Sequence, residues 1–126
     1  MMSKQILLVE DNAKTREQLS LFLAQAGYQF ITAVDGLDGL NKALNQEFSL
    51  IITDHKMPLM DGFALARNLR DNATYEDTPI VLLTTDDFQN VEQKALKLGV
   101  NLVLPKPVSF EELGNVLDEY EERDIA

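Results

Sequence analysis

Five side chains capable of ionic or phosphoryl chemistry stand just after short apolar runs. Glu10 and Asp11 follow Ile6–Val9, Asp54 follows Leu50–Thr53, Thr84 follows Ile80–Leu83, and Lys106 comes shortly after Leu102–Leu104. If the runs are neighbouring strands, these groups meet at one edge of a sheet. Clustered carboxylates repel one another unless a cation joins them. An all-oxygen set suits Mg²⁺, a hard ion with near-octahedral geometry and several retained waters. Mn²⁺ would suit the same set. A lone Asp after a strand is often only a helix cap, and Asp11 by itself would read that way. With Glu10, Asp54 and Lys106 beside it, a cation site is the better reading. A carboxylate can also attack phosphorus. That chemistry needs charge stabilisation on the three equatorial oxygens more than it needs a base. The metal could take one oxygen, Lys106 a second and Thr84 a third. Asp54 is the central candidate because the third run belongs mid-sheet.

The elements that must position these groups alternate along the chain. The runs Ile6–Val9, Phe30–Val34, Leu50–Thr53, Ile80–Leu83 and Leu102–Leu104 do not alternate polar with apolar. They therefore read as strands covered on both faces. Between them lie stripes of helical period, which we read as core packing. Leu19, Phe22, Leu23 and Ala26 form the first, stopped by Gly27. Leu37, Leu40 and Leu44 form the second, after a predicted N-cap at Asp35. The third helix is predicted near Phe63 to Leu69. Val91, Ala95 and Leu98, closed by Gly99, mark the fourth. Leu113, Val116, Leu117 and Tyr120 mark the fifth, with Ser109 and Glu112 as a capping box. This pattern predicts an α/β protein with a doubly wound, five-stranded parallel sheet and five helices on its two faces. Periodicity does not fix the strand order; we take 2-1-3-4-5, the flavodoxin-like order. Ligands of such sheets bind beyond the carboxyl ends of the strands.

The 126 residues suffice for one domain, taken as 1–126 with a core of about 4–120 and a short acidic tail. The absence of Cys excludes disulfides, thiolate nucleophiles and Cys-based metal sites. A net charge of -10 opposes nucleic acid and anionic membranes. The N-terminus is neither a signal peptide nor a spanning helix, and no membrane insertion is expected. A cytoplasmic location follows as the expectation.

These pieces together resemble the receiver domain of two-component response regulators, single-domain chemotaxis proteins among them. They are Glu10-Asp11, Asp54, the segment Met57-Pro58-Leu59-Met60-Asp61-Gly62, Thr84 and Lys106-Pro107. The likeness runs from about Lys4 to Tyr120 and implies the same 2-1-3-4-5 order. It implies that Asp54 accepts a phosphoryl group from a histidine kinase or phosphotransfer protein, becoming 4-aspartylphosphate. Glu10 and Asp11 would hold Mg²⁺ with Asp54 and the backbone carbonyl of Lys56. Thr84 would move to the phosphoryl group on activation, Lys106 would pair with acceptor and then phosphate, and Pro107 would follow a cis bond. Lys56 and Asp86 would tune hydrolysis of the acyl phosphate. The fourth helix, fifth strand and fifth helix would form the output face.

Two positions depart from the family's commonest pattern. Val103 stands where Tyr or Phe often swings inward, so coupling through that switch position would be muted. Thr85 stands where Ala is common and would narrow the approach to the phosphoryl group. His55, the only His, is expected to diverge from Asp54 and to be scaffold or surface. Met57 and Met60 are expected to shape the loop behind the site, Gly62 to open a helix or turn, and Tyr28 and Tyr75 to lie at edges or in loops. From Ser109 to Ala126 seven acids face Arg123 alone, which reads as a solvated face or a docking surface for a basic partner. Lys94 and Lys97 would give the output face mixed charge.

The leading reading is a phosphoacceptor that catalyses its own phosphoryl uptake and hydrolysis and signals by protein contact, as a monomer or weak dimer. The tail does not read as a long linker, which favours a complete protein. The alternative is a non-phosphorylated binding module on the same scaffold. An aspartyl phosphatase would commonly carry a second Asp two residues after the nucleophile, where this chain has Lys56. Dinucleotide and P-loop chemistry lack a glycine-rich cradle after the first strand.

Overall fold

The computed structural model describes residues 5–125, with side chains described for 5–120. Met1 to Lys4 and the tail side chains of Glu121, Glu122, Arg123 and Asp124 lie outside the described residues. Five parallel strands form one sheet: β1 (Gln5–Val9), β2 (Gln29–Ala33), β3 (Leu50–Asp54), β4 (Ile80–Thr84) and β5 (Leu102–Pro105). Their order is β2-β1-β3-β4-β5. The helices are α1 (Ala13–Gln25), α2 (Gly36–Asn45), α3 (Gly62–Arg70), α4 (Phe88–Lys97) and α5 (Phe110–Ile125), with a 3-10 turn at Ala73–Tyr75. This is the doubly wound sheet expected from the alternation.

Successive strand side chains leave opposite faces, so the sheet carries two cores. Leu7, Val9, Ile51, Ile80, Leu82 and Val103 pack against α2, α3 and α4. Ile6, Leu8, Leu50, Ile52, Leu83 and Leu104 pack against α1 and α5. Four of the five helices, all but α4, begin at side-chain caps. Asn12, Asp35 and Asp61 accept from the backbone N–H of Thr15, Asp38 and Ala64, and Ser109 accepts from Glu112. Gly27 and Gly99 close α1 and α4 at φ of 88° and 96°.

Three expectations need correction. First, β2 is not covered on both faces. It is an edge strand in which only Ala33 is buried, and Val34 lies past its end, exposed. Second, only Leu40 of the α2 leucine stripe packs against the core. Leu37 and Leu44 are 43% and 56% exposed, whereas Gly36, Gly39 and Ala43 are buried. A Cβ at Gly36 would overlap the Met60 carbonyl, and one at Gly39 would crowd Val9. The helix lies so close to β1 and to the β3–α3 loop that only small residues fit at Gly36 and Gly39, which turns Leu37 and Leu44 outward. Third, Tyr75 lies in the α3–β4 connection, one of the two placements expected, but buried rather than at an edge. It is 1% exposed, and its hydroxyl donates to the carbonyls of Ala43 and Gln46 at the end of α2.

Candidate functional site

The two-residue alternation sorts the polar groups at the strand ends. Glu10 continues the series Ile6, Leu8; Asp54 continues Leu50, Ile52; Lys106 continues Leu104. All three therefore fall on the α1/α5 side. There the Lys106 ammonium lies 3.0 Å from Glu10 Oε1 and 3.1 Å from Asp54 Oδ1. Glu10 is fixed three more times. Its Oε2 accepts from Asn12 N–H at 3.1 Å, its carbonyl from the Arg16 guanidinium at 2.8 Å, and its N–H donates to Ala33 at 3.0 Å. Asp54 Oδ1 also accepts from the His55 N–H at 2.9 Å.

Carboxylate oxygens of Glu10, Asp11 and Asp54 all lie within 4.8 Å of one another. Glu10 and Asp54 are buried and Asp11 is exposed, so the cluster opens to solvent on one side. The donors are oxygens alone, three carboxylates against one ammonium. That set fits a hard divalent cation in charge and in chemistry. Burial, and then the neighbouring Glu10 charge, push the Asp54 carboxyl above its ordinary range despite Lys106. Burial pulls the Lys106 ammonium down, but Glu10 and Asp54 together outweigh it and leave it raised. The cluster lines a cleft of about 460 Å³ with Asn12, Thr85 and Pro107.

The segment behind Asp54 is held by close approach. Met60 N–H donates to the Pro58 carbonyl at 2.7 Å across Leu59, whose φ is 70°. This is a tight three-residue turn. Gly62 then opens α3, where a Cβ would overlap the Asp54 carbonyl. Met57 and Met60 are partly buried against the α2–α4 core.

Thr84 is not with the carboxylates. It continues the series Ile80, Leu82, which belongs to the opposite face. Its hydroxyl accepts from Asp86 N–H at 3.0 Å and pairs with His55 Nδ1 at 2.9 Å. Residue reasoning alone brought that hydroxyl to the phosphoryl edge. The β3–β4 register pairs Asp54 with Leu83, and so puts Thr84 beside His55. His55 does diverge from Asp54, but it is 7% exposed and bonded to a candidate site residue. Its ring lies 4.5 Å from that of Phe63, and the Lys94 ammonium sits 5.5 Å over Phe63. The alternation contained the signal; using it required knowing which residue of β4 faces His55.

The remaining candidates are dispersed. Lys56 and Asp86 form an exposed ion pair at 2.9 Å. Thr85 is exposed at the cleft, and Val103 is 2% exposed in the α2–α4 core. The Lys106–Pro107 bond is cis. Lys94 and Lys97 line a groove of about 750 Å³ with Met57, Phe63 and Arg67 of the neighbouring loop and α3. They lie on α4 and also border this groove toward α3. Glu111, Glu112, Asp118 and Glu119 are exposed on α5. Among the described residues, no helix is long and apolar enough to cross a membrane.

Comparison with known proteins agrees with this geometry. The family model for the response regulator receiver domain matches residues 6–118. This chain belongs to that family. It is 42% identical over 108 residues to the transcriptional regulatory protein HprR of Escherichia coli, covering 86% of this chain and 47% of HprR. The chain therefore spans about half the length of that relative. Among solved structures, the chemotaxis response regulator CheY4 of Vibrio cholerae matches with a TM-score of 0.88 and 34% identity, over 94% of this chain and 99% of CheY4. The receiver domain of the sensor histidine kinase PA1611 of Pseudomonas aeruginosa, which holds a magnesium ion in its active-site cleft, matches with a TM-score of 0.86 and 29% identity. That match covers 94% of this chain and 98% of the other.

Proposed function

We propose that this receiver accepts a phosphoryl group on Asp54 from a histidine kinase or phosphotransfer protein, in a Mg²⁺-dependent reaction, and signals by phosphorylation-dependent protein contact. The observation that carries the reading is the gathering of Glu10, Asp11 and Asp54 within 4.8 Å of one another at the open end of the sheet, with Lys106 ion-paired to Glu10 and Asp54. Glu10, Asp11, Asp54 and the Lys56 carbonyl would hold the cation, which when bound neutralises charge between the carboxylates and the phosphoryl oxygens. Lys106 and the His55 N–H both engage Asp54 Oδ1, so attack falls to Oδ2. A bond forms from Oδ2 to phosphorus as the donor's N–P bond breaks, and the electron pair stays with the leaving imidazole nitrogen. Lys106 then turns from the carboxylate to a phosphoryl oxygen. Water ends the phosphorylated state by attacking phosphorus as the Oδ2–P bond breaks, releasing inorganic phosphate and restoring the Asp54 carboxylate, and Thr85, at the cleft, bears on that approach. The α4–β5–α5 face, with the exposed acids of α5, is the output surface in this reading. A cytoplasmic site of action is part of the same proposal.

The test is intact mass after incubation with Mg²⁺ and acetyl phosphate. Wild type should gain one phosphoryl group, and Asp54→Asn none. Omission of Mg²⁺, or its replacement by Mn²⁺, reports the metal requirement. A folded wild-type protein that gains no mass from a competent donor would instead favour a non-phosphorylated binding module.

A further inference from the structure

The geometry points to His55 as a positioning residue that holds the Thr84 hydroxyl away from the phosphoryl site. This inference rests on the phosphoacceptor reading above and deepens it. Thr84 is buried, and its oxygen already accepts the Asp86 N–H. A hydroxyl has one proton, and that proton is what Thr84 can offer a phosphoryl oxygen. In the Nε2–H tautomer of His55, Nδ1 is the acceptor across the 2.9 Å contact, and the proton is then committed to the α3/α4 side of the sheet. Asp54 and its phosphoryl group lie on the other side. Thr84 must release His55 to reach them.

The imidazole is a firm partner because both its backbone and its ring are held. His55 N–H donates to the Leu83 carbonyl at 2.9 Å and to Asp54 Oδ1 at 2.9 Å. Its carbonyl accepts from Gly62 N–H at 2.7 Å, and its ring rests on Phe63. Val103, on the same face, has no ring to follow Thr84. The His55 imidazole is therefore the group that Thr84 leaves behind. The strength of that one bond sets part of the cost of phosphorylation, and breaking it frees a ring packed through Phe63 against Lys94 of α4.

The probe is beryllofluoride with Mg²⁺, a phosphoryl analogue, titrated into the full chain by calorimetry. His55→Phe keeps a ring against Phe63 and removes the nitrogen. It should tighten beryllofluoride binding about three- to ten-fold, the range of one net hydrogen bond. In a Thr84→Ala background the same substitution should change nothing. His55→Leu serves as a second variant should the Phe ring distort the fold. In wild type, the His55 Nδ1 nitrogen resonance should shift when beryllofluoride binds. The latch is overturned if His55→Phe and wild type bind alike, if the effect persists without the Thr84 hydroxyl, or if the Nδ1 resonance stays still. Those results leave phosphoacceptance intact. A wild-type chain that binds no beryllofluoride overturns the phosphoacceptor reading itself, and the latch with it.

Discussion

In the proposed role Asp54 must be ionised to attack phosphorus, yet burial and Glu10 favour its proton. Because its folded value is raised, the native state binds more protons than the unfolded chain across that window. The Asp54 contribution to stability therefore falls as pH rises from the ordinary carboxylate range through the raised value. Lys106 is also raised, so its contribution is complete below its ordinary alkaline value and is lost as pH climbs through the folded one. Asp54→Asn should thus stabilise the fold at neutral pH by on the order of 1 kcal/mol, read as a higher thermal midpoint. The gain should shrink as pH falls below the raised value, which melts from pH 3 to 8 would show. Lys56 and Asp86 call for a different measurement. Their ion pair is exposed, so Lys56→Ala and Asp86→Ala should each alter stability by less than about 1 kcal/mol. Under the proposed function each should change the acyl-phosphate decay rate by several-fold, since Lys56 and Asp86 each stand two residues after a proposed site residue, Asp54 and Thr84; unchanged decay in both would remove them as tuning residues.

At the scale of elements, α2 shows why apolar periodicity alone misleads. Large residues carry the hydrophobic signal, but a helix packed against a strand and a tight turn is seated by its smallest side chains. Gly36→Ala should cost about 3 kcal/mol or more, since the new methyl group meets the Met60 backbone rather than a movable side chain. Leu44→Ser, on the exposed stripe, should stay within about 0.5 kcal/mol. Urea melts of the two variants would separate a close-packed glycine face from a leucine face; equal losses would contradict the packing described. Arg70 secures the opposite end of the sheet. Its guanidinium donates to the carbonyls of Tyr75, Thr78 and Gly99 and to the Asn101 side chain, joining α3 to the segments flanking β4 and to the α4–β5 turn.

The whole molecule carries a net charge of -10 and gathers three carboxylates around one ammonium at the cleft. A cation that binds the native cluster and not the unfolded chain must stabilise the fold by mass action. At a hundred times its dissociation constant the gain is about 2.7 kcal/mol. Millimolar Mg²⁺ should therefore raise the melting temperature of wild type, and Asp11→Asn should lose most of that rise while still folding, because Asp11 is exposed. A rise of equal size in both proteins would mean that Mg²⁺ acts elsewhere on the acidic surface.

The linear pattern by itself determined five apolar runs, the helices between them, most of the caps, and an acidic and basic set at the strand ends. Those features repeat within a few residues along the chain, so local spacing reveals them. Tertiary structure decided the rest, since each remaining outcome depends on which strands become neighbours and how closely layers approach. Edge position left β2 half covered. The depth of α2 selected glycines over leucines, and the β3–β4 register gave Thr84 to His55 rather than to Asp54. Period two says that adjacent side chains part company; only strand pairing says whom each one meets.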